Sequence, residues 1–554
     1  MMSVLSALLM AMSMPPLELV PLAFVCLVPL AVVAASSRSG LQAFLMAWVG
    51  AVPIWMFVQA WVFDLTLPGW LVLCGYMALY PASFTLILRR LLIKNMFRCL
   101  PATIVVPVAW CGLEFFRSTL FMHGYPWYQL GSSLAAWPVL AQSADLQGVP
   151  LLGVLVASWN GLLVDVLLAR TGRGPGRRGV LTCLAVVMLI GIGNVTYGTW
   201  RIGQDEHDRE GPVVLAIQTN VSTSNKVAWS AEEQARDFTR FIGLTTTGFS
   251  DTIDQGHRPD LVVWPETMLP GYGLEEQTIQ FQQQNDLYPA GHYLEQLVQL
   301  NRFLDVPLLV GAPVYTGLRL DGRMYQWDMH FNGAYMVQSQ RPYQRIEKVH
   351  LTPFGERMPY IEHWPWLQDA LLSLGASGMK FNLDAAESPG RMQLEYGPDE
   401  NRQSLQFGVP ICFEDSVASL CRSMVYEGSD KVSHLLVNIS NDGWFGESSA
   451  GRLEHVRLAS LRCIENRVPM VRSVNTGYSV LIDSRGLVVQ MIGPPPAGEH
   501  GVDGHVAART SLDDRVTLYG RLGDIIGWTL LMGAVLLVGI SLLPTRPWCT
   551  GPTP

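Results

Sequence analysis

"GVPICFED", residues 408–415, ends an apolar run on a cysteine and follows it with two carboxylates. Read outward, the run starts at Ser404 (SLQFGVPIC, 404–412) and has the length and composition of a buried strand. Taken alone, Cys412 has two readings. Free cysteine is among the most buried residue types, so an inert core thiol is one. A nucleophile displayed at a strand end is the other.

Similar short β-rich runs recur on both sides: VVLAIQTNV (213–221), DLVVWPE (260–266), PLLVGAPVY (307–315), NGAYMVQ (332–338), HLLVNISND (434–442), MVRSVN (470–475) and YSVLIDS (478–484). Helical patterns lie between several of them, at 293–306 and 451–467. Strands alternating with helices predict a layered α/β domain. Glu266 closes one run and Lys348 follows the hairpin-like stretch 331–347, as Cys412 closes a third. Each also has a purely structural reading: a helix cap, a surface charge and a core thiol.

Outside this domain the composition changes. The chain of 554 residues is 49% hydrophobic and only 15% charged, against about 25% charged in an ordinary soluble protein. A membrane helix needs about 20 mostly apolar residues. Candidate spans are 17–36, 41–63, 69–93, 102–121, 150–170, 179–197 and 524–544, with a shorter run at 3–14. They predict a polytopic α-helical region at 1–197 (about seven helices), an α/β domain inserted at 198–523, and a final helix with a short tail at 524–554. Arg38, then Arg89, Arg90, Lys94 and Arg98, then Arg170, Arg173, Arg177 and Arg178 occupy loops that share one side if eight helices cross. Basic loops stay in the cytoplasm. Residues 198–523 are therefore expected on the outer face, which in a bacterium is the periplasmic side of the inner membrane.

Of nine cysteines, Cys412, Cys421 and Cys463 fall in the inserted domain, an odd number that leaves at least one thiol free. No C-x-x-C pair, H-E-x-x-H run or histidine set points to a metal, and no cofactor is expected. The formal charge of −8 and the absence of a basic stripe in the inserted domain argue against nucleic acid.

Three segments change the weights when taken together. WPE (264–266), KVHLTPFGE (348–356) and CFED (412–415) occur in the order Glu, Lys, Cys. This resembles the nitrilase, or carbon–nitrogen hydrolase, superfamily, which implies a four-layer αββα sandwich carrying a Glu-Lys-Cys triad. With the flanking apolar helices, HLTPFGE (350–356), NDGWFGES (441–448), QTNVSTSNKVAW (218–229), VRSVNTG (471–477) and LYGRLGD (518–524) are similar to signatures of the bacterial apolipoprotein N-acyltransferase family. Phe413 stands where that family often has tyrosine, and NDGWFG has glycine where alanine is frequent. The polar stretch 385–403 is read as a loop without a role.

The resemblance implies an acyltransferase that moves an acyl chain from a phospholipid to the α-amine of a diacylglyceryl-cysteine on a lipoprotein, in a ping-pong scheme through a thioester. It implies Cys412 as nucleophile, Glu266 as general base and Lys348 as oxyanion stabiliser, helped by the Phe413 N–H. A glutamate base is better matched to that task when partial burial raises its pKa. Glu356 and Glu414 are implied supporting residues. Trp444 and Phe445 are implied to line an acyl tunnel or dip into the lipid interface, with core packing the alternative. Trp229 is implied as a substrate-binding residue on a loop.

Two other readings stay open. A membrane-anchored amidase or nitrilase would use the same triad with water as second nucleophile. A transporter or receptor would need ionisable residues within the membrane, for which Glu114, Arg117 and Asp165 are the candidates.

Overall fold

In the computed structural model, residues 1–204, 208–222, 229–322, 324–364, 366, 383–493 and 498–544 are described. The chain forms two compact units. One comprises Met1–Gln204, Glu447–Leu461 and Leu522–Pro554, and the other comprises Asp205–Gly446 and Arg462–Arg521. The segment Glu447–Leu461 thus groups with the first unit, although it lies inside the expected 198–523 domain.

The first unit is helical. Among the described residues, five helices are long and apolar enough to cross a membrane: Gly40–Val58, Leu67–Ile93, Ala144–Arg170, Arg177–Ile202 and Ile525–Leu542. Three other candidate stretches are shorter or broken. The run at 3–14 forms an 11-residue helix, Met2–Met12, that stops ahead of Pro15 and Pro16. The run at 17–36 divides into a 3-10 segment, Val20–Phe24, and a helix, Val28–Ser36, each with proline in its first turn. Proline suits a helix start, and inside a helix it removes a backbone hydrogen bond. The run at 102–121 is a helix over Ala102–Phe115 that passes into a π-helical turn at Phe116–Leu120.

The three ionisable candidates Glu114, Arg117 and Asp165 serve the backbone of this unit. Asp165 accepts from the N–H groups of Ala102 and Thr103 at 2.8 and 2.9 Å, capping the start of Ala102–Phe115, where helical N–H groups lack partners. Glu114 accepts from the Leu130 N–H at 2.8 Å, and Arg117 donates to the Trp127 carbonyl at 2.7 Å. These two bonds pin the irregular chain after the π turn.

In the second unit the expected alternation of strands and helices folds into two six-stranded sheets. The first runs Gly504–Asp513, Asp208–Gln218, Leu261–Val263, Leu308–Thr316, Met329–Val337 and Gln344–Glu347. Its centre is parallel, with Val214 opposite Leu261 and Val262 opposite Leu308, and antiparallel strands flank it. The second runs Val488–Met491, Val480–Ile482, Met470–Val474, Leu435–Ser440, Gln403–Gly408 and Arg391–Tyr396. Successive side chains of a strand face opposite ways, and the first strand divides accordingly. Val214 and Ala216 join Val263, Phe407, Val437, Ile439 and Val471 in a core between the sheets. Leu215 and Ile217 turn to the other face, against Phe238 and Phe241 of helix Ala231–Asp254 and Leu294 and Leu297 of helix His292–Leu304. Helix Ala418–Val425 covers the second sheet, where Met424 packs on Gly408. The result is a four-layer αββα sandwich.

The stretch 385–403 is not a plain loop. Arg391–Tyr396 is the edge strand of the second sheet, and its Met392, Leu394 and Tyr396 face inward. The alternation was masked by the polar residues between them.

Candidate active site

The first sheet supplies a carboxylate and an amine. Strand Leu261–Val263 runs into Trp264, which is fully buried and donates through its indole N–H to Thr245 at 2.9 Å. That anchor carries Glu266 just past the strand end, where it is 5% exposed. Strand Gln344–Glu347 ends beside Met329–Val337, and the Lys348 N–H donates to the Asn332 carbonyl at 2.8 Å. The Lys348 side chain is completely buried. Its Nζ lies 2.7 Å from Glu356 Oε2 and 3.8 Å from Glu266 Oε1. Burial alone would pull this amine down, but Glu356 and then Cys412, Glu266 and Glu414 outweigh it and hold the ammonium above its usual range. Burial also opposes the charge on Glu356, yet Lys348 and hydrogen bonds hold that carboxyl below its usual range.

The second sheet supplies the cysteine. Strand Gln403–Gly408 leads to a tight 3-10 turn, Cys412–Ser416. Cys412 opens that turn with φ +55°, in the left-handed region, and is partly exposed. Such a conformation is uncommon for a residue with a side chain. Burial of the sulfur and the neighbouring Glu266 carboxylate push its thiol above the ordinary range, and Lys348 opposes them. A thiol held protonated needs a base to become the reactive thiolate.

Glu414, 1% exposed, ties the two halves of the site. It accepts from the N–H groups of Val349, His350 and Ile411 at 2.7, 2.8 and 2.8 Å. Burial raises its pKa to about 7, against Lys348 and these N–H groups. The Phe413 ring stacks on His350 with centroids 5.9 Å apart.

The structure therefore gathers Glu266, Lys348, Cys412, Glu356, Glu414 and Phe413. Trp444 and Phe445 belong to the turn Asp442–Phe445, whose Asp442 acts on the Cys412 thiol; Phe445 is buried and Trp444 half-buried. Trp229 packs on the first sheet's helical side, and its indole N–H donates to Asp237 at 3.0 Å.

Asn332 was not legible as a site residue. Its Nδ2 donates to Glu266 Oε1 at 2.6 Å and to Glu356 Oε1 at 3.3 Å, so it bridges the two carboxylates that flank Lys348. Asn438 and Arg472, both fully buried, were missed as well. The available signal was the same each time: a polar residue inside an apolar strand run, which is costly unless it is bonded.

Residues 225–501 match the carbon–nitrogen hydrolase family. The chain belongs to that family. Within it, residues 6–162 also match the apolipoprotein N-acyltransferase N-terminal domain. Among relatives, the apolipoprotein N-acyltransferase of Geobacter metallireducens is 29% identical over 552 residues, covering 98% of this chain and 94% of its own. That of Rhodopirellula baltica is 25% identical over 594 residues, covering 98% of this chain and 96% of its own.

Proposed function

We propose that this chain is an acyltransferase that N-acylates lipoproteins in a bacterial inner membrane, with its α/β domain facing the periplasm. The observation that carries the reading is the buried Lys348 between Glu266 and Glu356, next to Cys412, in a chain that matches the acyltransferase N-terminal domain.

In the first half-reaction Glu266 takes the Cys412 proton, and the sulfur attacks the ester carbonyl of a phospholipid. Negative charge develops on the carbonyl oxygen. Lys348 and the Phe413 N–H stabilise it, and removing one such donor commonly costs about 3 kcal/mol of barrier. The ester C–O bond breaks, Glu266 returns the proton to the leaving glycerol oxygen, and the acyl group remains on sulfur as a thioester. In the second half-reaction the amine of a diacylglyceryl-cysteine attacks the thioester. Glu266 removes an amine proton, the C–S bond breaks, and the thiol is restored as an amide leaves. Glu356 neutralises Lys348 so that its ammonium is held in place without drawing Glu266 out of position. The ester already carries an activated acyl group, so the scheme needs no cofactor.

A membrane-anchored hydrolase would form the same thioester and then use water. The experiment that separates the two follows the intact mass of the purified protein. With phospholipid alone the acyl-enzyme should accumulate, because a dry site suppresses hydrolysis of a reactive intermediate. A diacylglyceryl peptide with a free N-terminal cysteine should discharge it into N-acylated product, and N-acetylation of that peptide should block the discharge. Rapid release of free fatty acid, unchanged by the peptide, would overturn the acyltransferase reading. The transporter reading is weakened because Glu114, Arg117 and Asp165 are engaged in backbone hydrogen bonds.

A further inference from the structure

A chain of buried polar groups runs from the second sheet to the backbone of the nucleophile. Asn438 lies in strand Leu435–Ser440 and is fully buried. Its Nδ2 donates to the Pro410 carbonyl at 3.0 Å and to the Cys412 carbonyl at 3.3 Å. Its Oδ1 accepts from Arg472 Nε at 3.3 Å, and Arg472 is its register partner on the neighbouring strand. Arg472 Nε also stands 3.0 Å from Asp415 Oδ2, within the turn that Cys412 opens. Asn438, Arg472 and Asp415 all have zero exposure. An ion pair buried this deeply adds little net stability over apolar packing, but it does fix direction.

The direction it fixes is that of one peptide group. The Cys412–Phe413 bond is not among the cis peptides, and a planar trans peptide points its C=O and N–H in opposite directions. Holding the Cys412 oxygen therefore aims the Phe413 N–H. The hold is needed because Cys412 has φ +55°, a conformation that persists only where the surroundings over-determine it.

We infer that Asn438, oriented by Arg472 and Asp415, is a positioning residue that aims the Phe413 N–H at the developing oxyanion. This rests on the reading of Cys412 as an acyl-accepting nucleophile and does not depend on which ester or which second nucleophile is used.

Two reactions of Cys412 in the full-length protein separate this role from a merely structural one. Acylation by a p-nitrophenyl ester passes through an oxyanion; alkylation by iodoacetamide forms the C–S bond with loss of iodide and passes through none. Asn438→Asp keeps the side-chain shape and the acceptor facing Arg472 but removes the donor. It should slow the p-nitrophenol burst by about 10²-fold while alkylation stays within about threefold of wild type. Arg472→Lys keeps the charge beside Asp415 but cannot reproduce the guanidinium geometry. It should give the same split with a smaller loss, and it supplies the reading if Asn438→Asp is not monodisperse. Equal slowing of both reactions, or slowing of neither, overturns the inference. Wild-type protein acylated by the p-nitrophenyl ester but not by phospholipid would refute the lipid reading and leave this one standing.

Discussion

Lys348 makes its closest ion pair with Glu356, at 2.7 Å, and not with Glu266, which is 3.8 Å away. The lysine charge is thus balanced mainly by a residue outside the Glu-Lys-Cys set. Lys348→Met should leave a folded protein with almost no acyl-enzyme formation. It should also change the pH dependence of stability. In the wild type Lys348 holds the half-buried Glu356 below the usual carboxylate range, so that carboxylate contributes stability above the unfolded pKa of about 4.3. The contribution fades as pH falls through the lowered folded value. Without Lys348, burial dominates, and ionised Glu356 costs stability above about pH 4.3. The gap between wild type and variant should widen from pH 4 to pH 7, toward about 3 kcal/mol. Denaturant unfolding at the two pH values measures it, and an equal gap at both would contradict the pairing.

Cys412 is one of three cysteines in 198–523, and all three are free thiols. Cys421 and Cys463 are fully buried, whereas Cys412 is partly exposed at the strained turn. Cys412→Ala should abolish the acyl adduct seen by intact mass; Cys421→Ala and Cys463→Ala should retain it. An adduct that persists in Cys412→Ala would refute the assignment.

Asn332 holds Glu266, the proposed general base, through a 2.6 Å bond. Asn332→Leu leaves the volume roughly intact and removes that bond. A displacement of a catalytic group by about 1 Å can cost up to about 10²-fold in rate. We expect kcat for acylation to fall by roughly that factor with KM nearly unchanged, as steady-state kinetics would show. A change confined to KM would place Asn332 in substrate binding instead.

Orientation in the membrane is open to direct measurement. A periplasm-dependent reporter fused after residue 210 should be active, and one fused after Arg173 should not. The opposite pattern would remove the phospholipid and lipoprotein assignment along with the topology.

Much of this was legible in the chain itself. Strand runs such as 213–221 and 307–315 were visible because a strand buried on both faces is continuously apolar. Glu266 and Cys412 could be singled out because each closes such a run, whereas Lys348 follows a polar hairpin-like stretch and was joined to them by the Glu, Lys, Cys order of the three motifs. The membrane character followed from the length of the apolar segments alone. Helix breaks were less legible, because hydropathy does not record where a helix stops. The run at 17–36 reads as continuous but is divided at Val25–Leu27.

Partners across the fold were decided only by tertiary structure. Glu266, Lys348 and Cys412 follow separate strands and Asn332 lies within Met329–Val337, and nothing local states that Asn332 faces Glu266 while Asn438 faces the Cys412 carbonyl. Those pairings depend on sheet order and register, where a shift of one residue would turn each side chain to the opposite face. The sequence by itself therefore determined which chemical groups this protein has and the strand ends that carry them. The tertiary structure decided which groups meet, because hydrogen bonds and ion pairs act over a few ångströms and those distances are set by how the two sheets pack.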